Sequence, residues 1–262
     1  MASQTPAISR AFDDVGSGAA LVLLHGFPLD RRIWSHQVAK LSGSMRVIAP
    51  DLRGFGENTD EGPFSLDELA DDVKRLIDSL GLDKVVLAGL SMGGYVAAAF
   101  AVRYPQSLRG LILIDTKTEA DTPEGKAGRD KMIALANEKG SAAVAEQMLP
   151  KMLAPEALNA NGPAVAQLRQ MMEACPPATI AHALAAMRER PDRTADLVRL
   201  AVPTLIVVGQ HDAIIPPATA AALASKIPGA RAHEVAGAGH MAPFESPQDV
   251  NGAIRDFVTP LV

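Results

Sequence analysis

The alternation of short apolar runs with longer stretches of helical periodicity is the feature that most restricts the fold of this chain. Apolar residues fill the runs without polar alternates, as in strands that are buried on both faces. Such strands, separated by helices, predict an α/β fold with a mainly parallel sheet covered by helices on both faces. The strands predicted from such runs are Leu21–Leu24, Val47–Ala49, Val85–Ala88, Leu111–Ile114 and Thr204–Val208. A last strand is predicted around Ala232–Val235, which also contains His233 and Glu234.

The stretch from Leu66 to Leu80 shows the helical periodicity clearly, because its apolar residues recur three or four positions apart. Ser65 precedes it and Glu68 follows three residues later, which is the pattern of a capping box. Gly81 stands where a helix would end. We therefore predict a helix that begins after Ser65 and stops near Gly81.

The alternation is interrupted between about Lys117 and Leu200. Strand-like runs disappear there, and Ala, Met, Glu, Gln and Arg dominate between prolines, which predicts helices. Because this segment lies between two strands of one sheet, its ends must return to the same core, as in a lid or cap. We predict an α/β core of residues 1–117 and 200–262, with an inserted helical cap of residues 118–199.

Charge and composition argue against several classes of partner. The formal net charge of -5 leaves no excess of Lys and Arg for nucleic acid. The first apolar run, Ala19–Leu24, is too short for a signal or a membrane span, so we expect a cytoplasmic protein without a membrane partner. Cys175 is the only cysteine, which excludes an intrachain disulfide and a multi-cysteine metal site. We predict no metal and no cofactor.

A Gly-x-Ser-x-Gly motif directly follows the strand Val85–Ala88. It runs from Gly89 to Gly93 with Ser91 at its centre, and a helical pattern begins immediately after it. The chemistry of a serine nucleophile needs a hydroxyl exposed on a sharp strand-to-helix turn, where flanking side chains would clash. The context therefore predicts that Ser91 is a nucleophile.

A serine hydroxyl needs a base within hydrogen-bond reach, and six histidines compete for that role. His240 follows the last predicted strand on a glycine-rich loop, from which a side chain can project across the end of the sheet. The other five fit a strand, a helical pattern or a loop anchor better: His25, His36, His182, His211 and His233. We predict that His240 is the base.

The acid that orients the base should also follow a strand. Asp212 lies just past Thr204–Val208, and the chain order Ser, Asp, His is the order that the α/β-hydrolase pattern uses. Asp115, directly after Leu111–Ile114, is the rival. We favour Asp212 on the order of the elements and expect it to hold one imidazole tautomer.

A tetrahedral intermediate needs N–H donors aimed at its negative oxygen. The backbone N–H of Met92, at the start of the helix after Ser91, is one predicted donor. The second is the N–H of Phe27, which follows the strand Leu21–Leu24, where Gly26 allows close approach.

These residues resemble the α/β-hydrolase fold family, in particular its small bacterial carboxylesterases and enol-lactonases with a helical cap. The resemblance covers nearly all of the chain except the predicted cap. Dehalogenases and epoxide hydrolases of that fold carry a carboxylate where this sequence has Ser91. The residues that carry the resemblance are His25–Pro28, Asp51–Gly56, Gly89–Gly94, Asp212 and Gly239–His240.

The resemblance implies a serine hydrolase that cleaves small carboxylic esters through an acyl-enzyme on Ser91. Four alternatives stay open: an enol-lactonase, a C–C bond hydrolase, a cofactor-free perhydrolase, and a receptor that keeps the triad to bind a ligand. We expect a small-molecule ester as partner and a monomer or homodimer. The residues predicted to line the substrate pocket are Gly26, Trp34, Met132, Met148, Met152 and Met241.

Overall fold

The computed structural model describes residues 11–60 and 62–262, and a seven-stranded sheet forms its centre. The strand order is β1-β3-β2-β4-β5-β6-β7, with β1 antiparallel to β3 and all other neighbours parallel. This confirms the predicted, mainly parallel sheet. Residues 1–10, which the predicted core range includes, lie outside the described residues. The strands are β1 (Phe12–Val15), β2 (Ala20–Leu24), β3 (Arg46–Pro50), β4 (Val85–Leu90), β5 (Leu108–Ile114), β6 (Thr204–Gly209) and β7 (Arg231–Val235).

Successive residues of each central strand belong alternately to two separate apolar clusters, one on each face of the sheet. In β2, Val22 and Leu24 belong to one cluster, whereas Leu21 and Leu23 belong to the other. Helices cover both faces, which explains why the runs are apolar throughout. The first face carries α2 (Leu66–Ser79), α3 (Met92–Arg103) and α9 (Pro217–Lys226), and the second carries α1 (Ser35–Leu41), α10 (Ala242–Glu245) and α11 (Pro247–Val258).

The ends of α2 follow the predicted pattern. The Ser65 hydroxyl accepts the N–H of Glu68 at 3.2 Å, and the Glu68 carboxylate accepts the N–H of Ser65 at 2.7 Å, so the capping box is confirmed. Gly81 has a φ of 67°, the left-handed conformation that ends a helix and favours glycine.

Strand β1 was not predicted. Its sequence, Phe-Asp-Asp-Val, contains two charged residues, and its side chains are half-buried or exposed at the edge of the sheet. An edge strand with one neighbour needs no continuous apolar run, so the pattern that identified the buried strands could not reveal it.

Five helices connect β5 to β6, and we call residues 118–199 the helical insertion. The longest, α4, bends at Gly140, where φ is 78°, and packs against α6 and α7. The insertion also contacts the core, since Thr179 donates to the Gly54 carbonyl at 3.1 Å and Arg193 pairs with Asp67 at 2.7 Å. The helices are α4 (Pro123–Met152), α5 (Pro155–Ala160), α6 (Pro163–Ala174), α7 (Pro177–Glu189) and α8 (Thr194–Arg199).

Three further observations bear on partners and ligands. Within residues 11–60 and 62–262, no helix has the length and apolarity needed to cross a membrane. Over the same residues, no group of three or more His, Cys, Asp or Glu side chains is arranged to hold a metal ion. Cys175 is buried, and burial raises the pKa of its thiol to about 12, so the thiolate is strongly disfavoured at neutral pH.

Candidate active site

Ser91 stands at a sharp turn between β4 and α3. Its backbone has φ 51° and ψ -111°, in the positive-φ region that a non-glycine residue rarely adopts. The turn is held from both sides, because the Ser91 N–H donates to the Ile114 carbonyl at 2.9 Å and the Thr116 hydroxyl donates to the Ser91 carbonyl at 2.8 Å. These contacts fix the side chain at the carboxyl edge of the sheet.

Both glycines of the motif are required by close backbone contacts. A Cβ on Gly89 would overlap the carbonyl oxygen of Gly93, and a Cβ on Gly93 would overlap the carbonyl oxygen of Leu24. A Cβ on Gly94 would lie 2.5 Å from the Thr116 side chain. The glycines therefore let the turn pack directly onto the end of β2 and onto Thr116, which follows β5.

Replacing Gly93 with alanine is expected to destabilise the protein by about 3 kcal/mol or more, because the clash is with rigid backbone and not with a flexible side chain. Gly252→Ala in α11 is the matched control. A Cβ there meets no atom within 4 Å, so this change should stabilise the helix by about 0.5–1 kcal/mol. Urea unfolding of the two variants measures the difference, and equal stability would contradict the steric argument.

The structure brings Ser91, His240 and Asp212 together, although they follow three different strands. His240 Nε2 lies 2.9 Å from Ser91 Oγ, and His240 Nδ1 lies 2.8 Å from Asp212 Oδ2. The His240 and Asp212 side chains are buried, with 2% and 0% of their surface exposed. Such a chain of bonds can move a proton from the serine hydroxyl to the imidazole while the carboxylate holds the ring.

Asp212 is itself held by the loop that follows it. Its Oδ1 accepts the N–H groups of Ile214 and Ile215, each at 2.8 Å, which leaves Oδ2 for the imidazole. Asp115, the rival acid, bonds elsewhere: it accepts N–H groups from Gly209 and Ala242. Burial and the neighbouring Asp212 raise the pKa of Asp115 well above its usual value. The geometry therefore favours Asp212 as the partner of His240.

The other five histidines have different surroundings. His25 accepts the N–H of Leu52 at 3.0 Å with Nε2, and its Nδ1 lies 2.9 Å from the Gly26 carbonyl. Burial lowers the pKa of His25, so it is a neutral anchor for the loop after β2. His233 bonds Asp249 at 2.8 Å, while His36 and His182 lie edge-on to phenylalanine rings and His211 is exposed.

The loop anchored by His25 lies beside Ser91. A Cβ on Gly26 would stand 3.4 Å from the Ser91 Cβ, so the backbone at Gly26 directly borders the candidate nucleophile. Among the hydrogen bonds of the described residues, none uses the N–H of Phe27 or of Met92. Met92 begins α3, and the first N–H groups of a helix have no partner within it.

A cavity of about 410 Å³ lies between Phe27 and the helical insertion. Phe27 and Ile214 connect its wall to the candidate oxyanion loop and to the loop of Asp212. Of the predicted pocket residues, Met132 and Met148 line it. Its other lining residues are Asp121, Gly125, Gly128, Arg129, Gln147, Lys151, Leu184 and Ile214, which the sequence analysis did not identify.

The other four predicted pocket residues lie elsewhere, and one of them, Gly26, borders Ser91 without lining this cavity. Trp34, Met152 and Met241 belong to one buried apolar cluster and are not among the described residues that line this cavity. Trp34 is fully buried beneath the sheet, and Met152 and Met241 are at most 1% exposed. Their side chains fill the core, because large apolar groups gain more from close packing than from lining an open space.

Glu245 is a further residue that sequence analysis missed. Its carboxylate accepts N–H groups from Gly239 and Met241, the two neighbours of His240 in the chain. Burial raises the pKa of Glu245. A glutamate near the start of a helix usually signals helix capping, so its sequence position alone gave no indication of this contact.

Comparison with known proteins identifies the family of the chain. The sequence model of the alpha/beta hydrolase fold matches residues 19–247. The chain belongs to the alpha/beta hydrolase fold family. This confirms the predicted fold and resemblance, and membership supports a hydrolase activity.

Several relatives of this alpha/beta hydrolase match over nearly their whole length. The AB hydrolase superfamily protein YisY of Bacillus subtilis is 33% identical, with 94% of this chain and 93% of the relative covered. A thermophilic esterase from Thermogutta terrifontis is 43% identical with a TM-score of 0.93, covering 96% and 93% of the two chains. The enol-lactonase of Burkholderia xenovorans LB400 is 28% identical with a TM-score of 0.88, covering 95% of each chain.

Proposed function

We propose that this alpha/beta hydrolase cleaves small carboxylic esters through an acyl-enzyme on Ser91. One observation carries the proposal: Ser91 Oγ, His240 and Asp212 form a continuous chain of hydrogen bonds of 2.9 and 2.8 Å. The similarity to a solved esterase supports the same reaction class.

In the proposed first half-reaction, Ser91 Oγ attacks the ester carbonyl carbon while His240 Nε2 takes the hydroxyl proton. The N–H groups of Phe27 and Met92 donate to the oxygen that becomes negative. Collapse of the tetrahedral intermediate breaks the bond to the alkoxy oxygen, which receives the proton from His240 and leaves as an alcohol.

In the second half-reaction, water replaces the alcohol as the partner of His240. The base takes a proton from water, the resulting hydroxide attacks the acyl-enzyme carbonyl, and the serine oxygen leaves with the proton from His240. The products are the carboxylic acid and the free hydroxyl of Ser91. Asp212 accepts the Nδ1–H bond throughout and stabilises the imidazolium without taking its proton.

The cavity next to Phe27 is suited to the apolar part of the ester. Its wall combines the apolar side chains of Phe27, Met132, Met148, Leu184 and Ile214 with four polar ones, those of Asp121, Arg129, Gln147 and Lys151. Methionine side chains adapt to groups of different shape, which favours a range of small acyl or alkoxy groups over one fixed fit.

Turnover of p-nitrophenyl acetate and butyrate tests the proposal, with kcat expected above about 1 s⁻¹ for a working esterase. Labelling with a fluorophosphonate and peptide mapping should place the modification on Ser91. Turnover below about one per minute for every ester would reject the esterase proposal and favour the ligand receptor.

An enol-lactonase is the second candidate, favoured by the match to the Burkholderia xenovorans enzyme. A lactone is an internal ester, so the same residues would open it, and the product would keep the alcohol and the acid in one molecule. A panel of lactones with the matching open-chain esters separates the two, because a lactonase should prefer the lactones in kcat/KM.

A further inference from the structure

The carboxylate of Glu245 joins two parts of the molecule that are distant in sequence. Its Oε1 accepts the N–H groups of Gly239 at 2.8 Å and Met241 at 3.3 Å, which lie on either side of His240. Its Oε2 accepts the N–H of Ala154 at 2.7 Å, in the helical insertion between α4 and α5. One half-buried side chain therefore receives three backbone donors.

The two backbones that Glu245 joins also touch each other. A Cβ on Gly239 would lie 2.6 Å from the Leu153 carbonyl carbon and closer still to the Ala154 nitrogen. Leu153 and Met241 share one buried apolar cluster. The loop of His240 and the end of α4 are thus packed together, and Glu245 satisfies the N–H groups that this packing would otherwise leave buried without partners.

We propose that Glu245 is a positioning residue that holds the His240 loop in its productive place and links that loop to the helical insertion. The inference rests on the proposed function, since the position of His240 matters only if His240 is the base. A carboxylate suits this task because both of its oxygens accept, and charge-assisted hydrogen bonds are stronger than neutral ones.

The link gives α4 two roles. Residues of this helix, such as Met132 and Met148, line the cavity, and its C-terminal end leads into the segment that Glu245 holds. If that segment moves, it displaces the Glu245 carboxylate, which also bonds the N–H groups of Gly239 and Met241. The wall of the cavity and the loop of His240 are therefore connected through the Glu245 side chain as well as through the direct backbone contact.

Glu245→Gln tests the proposal, because glutamine keeps the size of the side chain but has only one acceptor oxygen. Its single oxygen can accept the N–H groups of the His240 loop or the N–H of Ala154, but not both. We expect kcat for p-nitrophenyl butyrate to fall about 10- to 100-fold, as for a misplaced catalytic group, with KM changed less than about threefold. Glu234→Gln, the same charge change on exposed β7, should leave both parameters unchanged.

Amide hydrogen exchange provides a second readout that a general loss of stability would not reproduce. In Glu245→Gln, exchange should accelerate in residues 239–242 or in residues 153–158, while α2 and α3 keep their wild-type rates. Unchanged kcat, or exchange that accelerates equally throughout the chain, would overturn the proposal. If Glu245→Gln does not fold, Glu245→Asp takes its place, since it keeps the charge but shortens the reach.

The exchange measurement also separates this inference from the proposed function. If the wild-type protein turns over no ester, the esterase proposal fails, and the Glu245 link is then judged by exchange in the two segments and by the rate of fluorophosphonate labelling. Wild-type labelling and exchange rates in the variant would reject the link whatever the substrate.

Discussion

Replacing Ser91 with alanine should lower kcat for p-nitrophenyl butyrate by about 10⁴-fold or more, because removal of the attacking oxygen eliminates the covalent route. The fold should be little affected, since the turn at Ser91 is held by its backbone N–H and carbonyl and not by its hydroxyl. Initial rates across a range of substrate concentrations measure kcat and KM, and KM should change far less than kcat.

Ser225→Ala is the matched control for this variant. It removes the same hydroxyl from an exposed position in α9, where the group bonds only the Ala222 carbonyl. It should retain wild-type kcat. If Ser91→Ala keeps more than about a tenth of the wild-type rate, Ser91 is not the nucleophile, since loss of a triad member costs several orders of magnitude.

Asp212→Asn should lower kcat by about 10⁴-fold, because it favours the wrong tautomer of His240. The N–H groups of Ile214 and Ile215 both point at Oδ1, so the amide oxygen of asparagine must occupy that place. Its NH₂ group then faces His240 Nδ1, which must act as acceptor. The ring proton is forced onto Nε2, where it blocks transfer from the Ser91 hydroxyl.

Asp115→Asn is the comparison that distinguishes the two acids. Asp115 accepts N–H groups from Gly209, at the end of β6, and from Ala242, at the start of α10, but does not bond the imidazole. We expect a loss of about 1–3 kcal/mol in the free energy of unfolding, from one buried N–H left without an acceptor, and less than about a tenfold loss in kcat. A larger loss of kcat in Asp115→Asn than in Asp212→Asn would reverse the assignment.

The sequence predicted the fold because the signals were local. Val85–Ala88 and Thr204–Val208 are apolar on both faces, and the capping box at Ser65 and Glu68 marks the start of α2 within four residues. The sequence also predicted that the side chains of Ser91, His240 and Asp212 lie close together, because the carboxyl ends of parallel strands meet at one edge of the sheet.

Tertiary contacts were harder to predict. The methionines of the insertion look alike in sequence, yet Met148 lines the cavity and Met152 is buried. Met152 lies one turn further along α4, where the helix ends against the buried cluster that also contains Leu153 and Met241. The link from Glu245 to Ala154 joins residues 91 positions apart. No local pattern encodes such a pair, which depends on how the insertion packs against the core.

The helical insertion lies between β5 and β6. Substitutions that change the cavity wall therefore fall in a different part of the chain from substitutions of the groups proposed to react. The strand ends carry the groups proposed to react, whereas α4 supplies most of the cavity wall and α7 contributes Leu184. Mutational libraries confined to those two helices should therefore alter substrate preference while leaving the reacting groups untouched. The segment around Ala154 is the exception, because it bonds Glu245, which also holds the loop of His240. Substitutions in that segment should disturb His240, so new substrate specificities can evolve freely only in the rest of these helices.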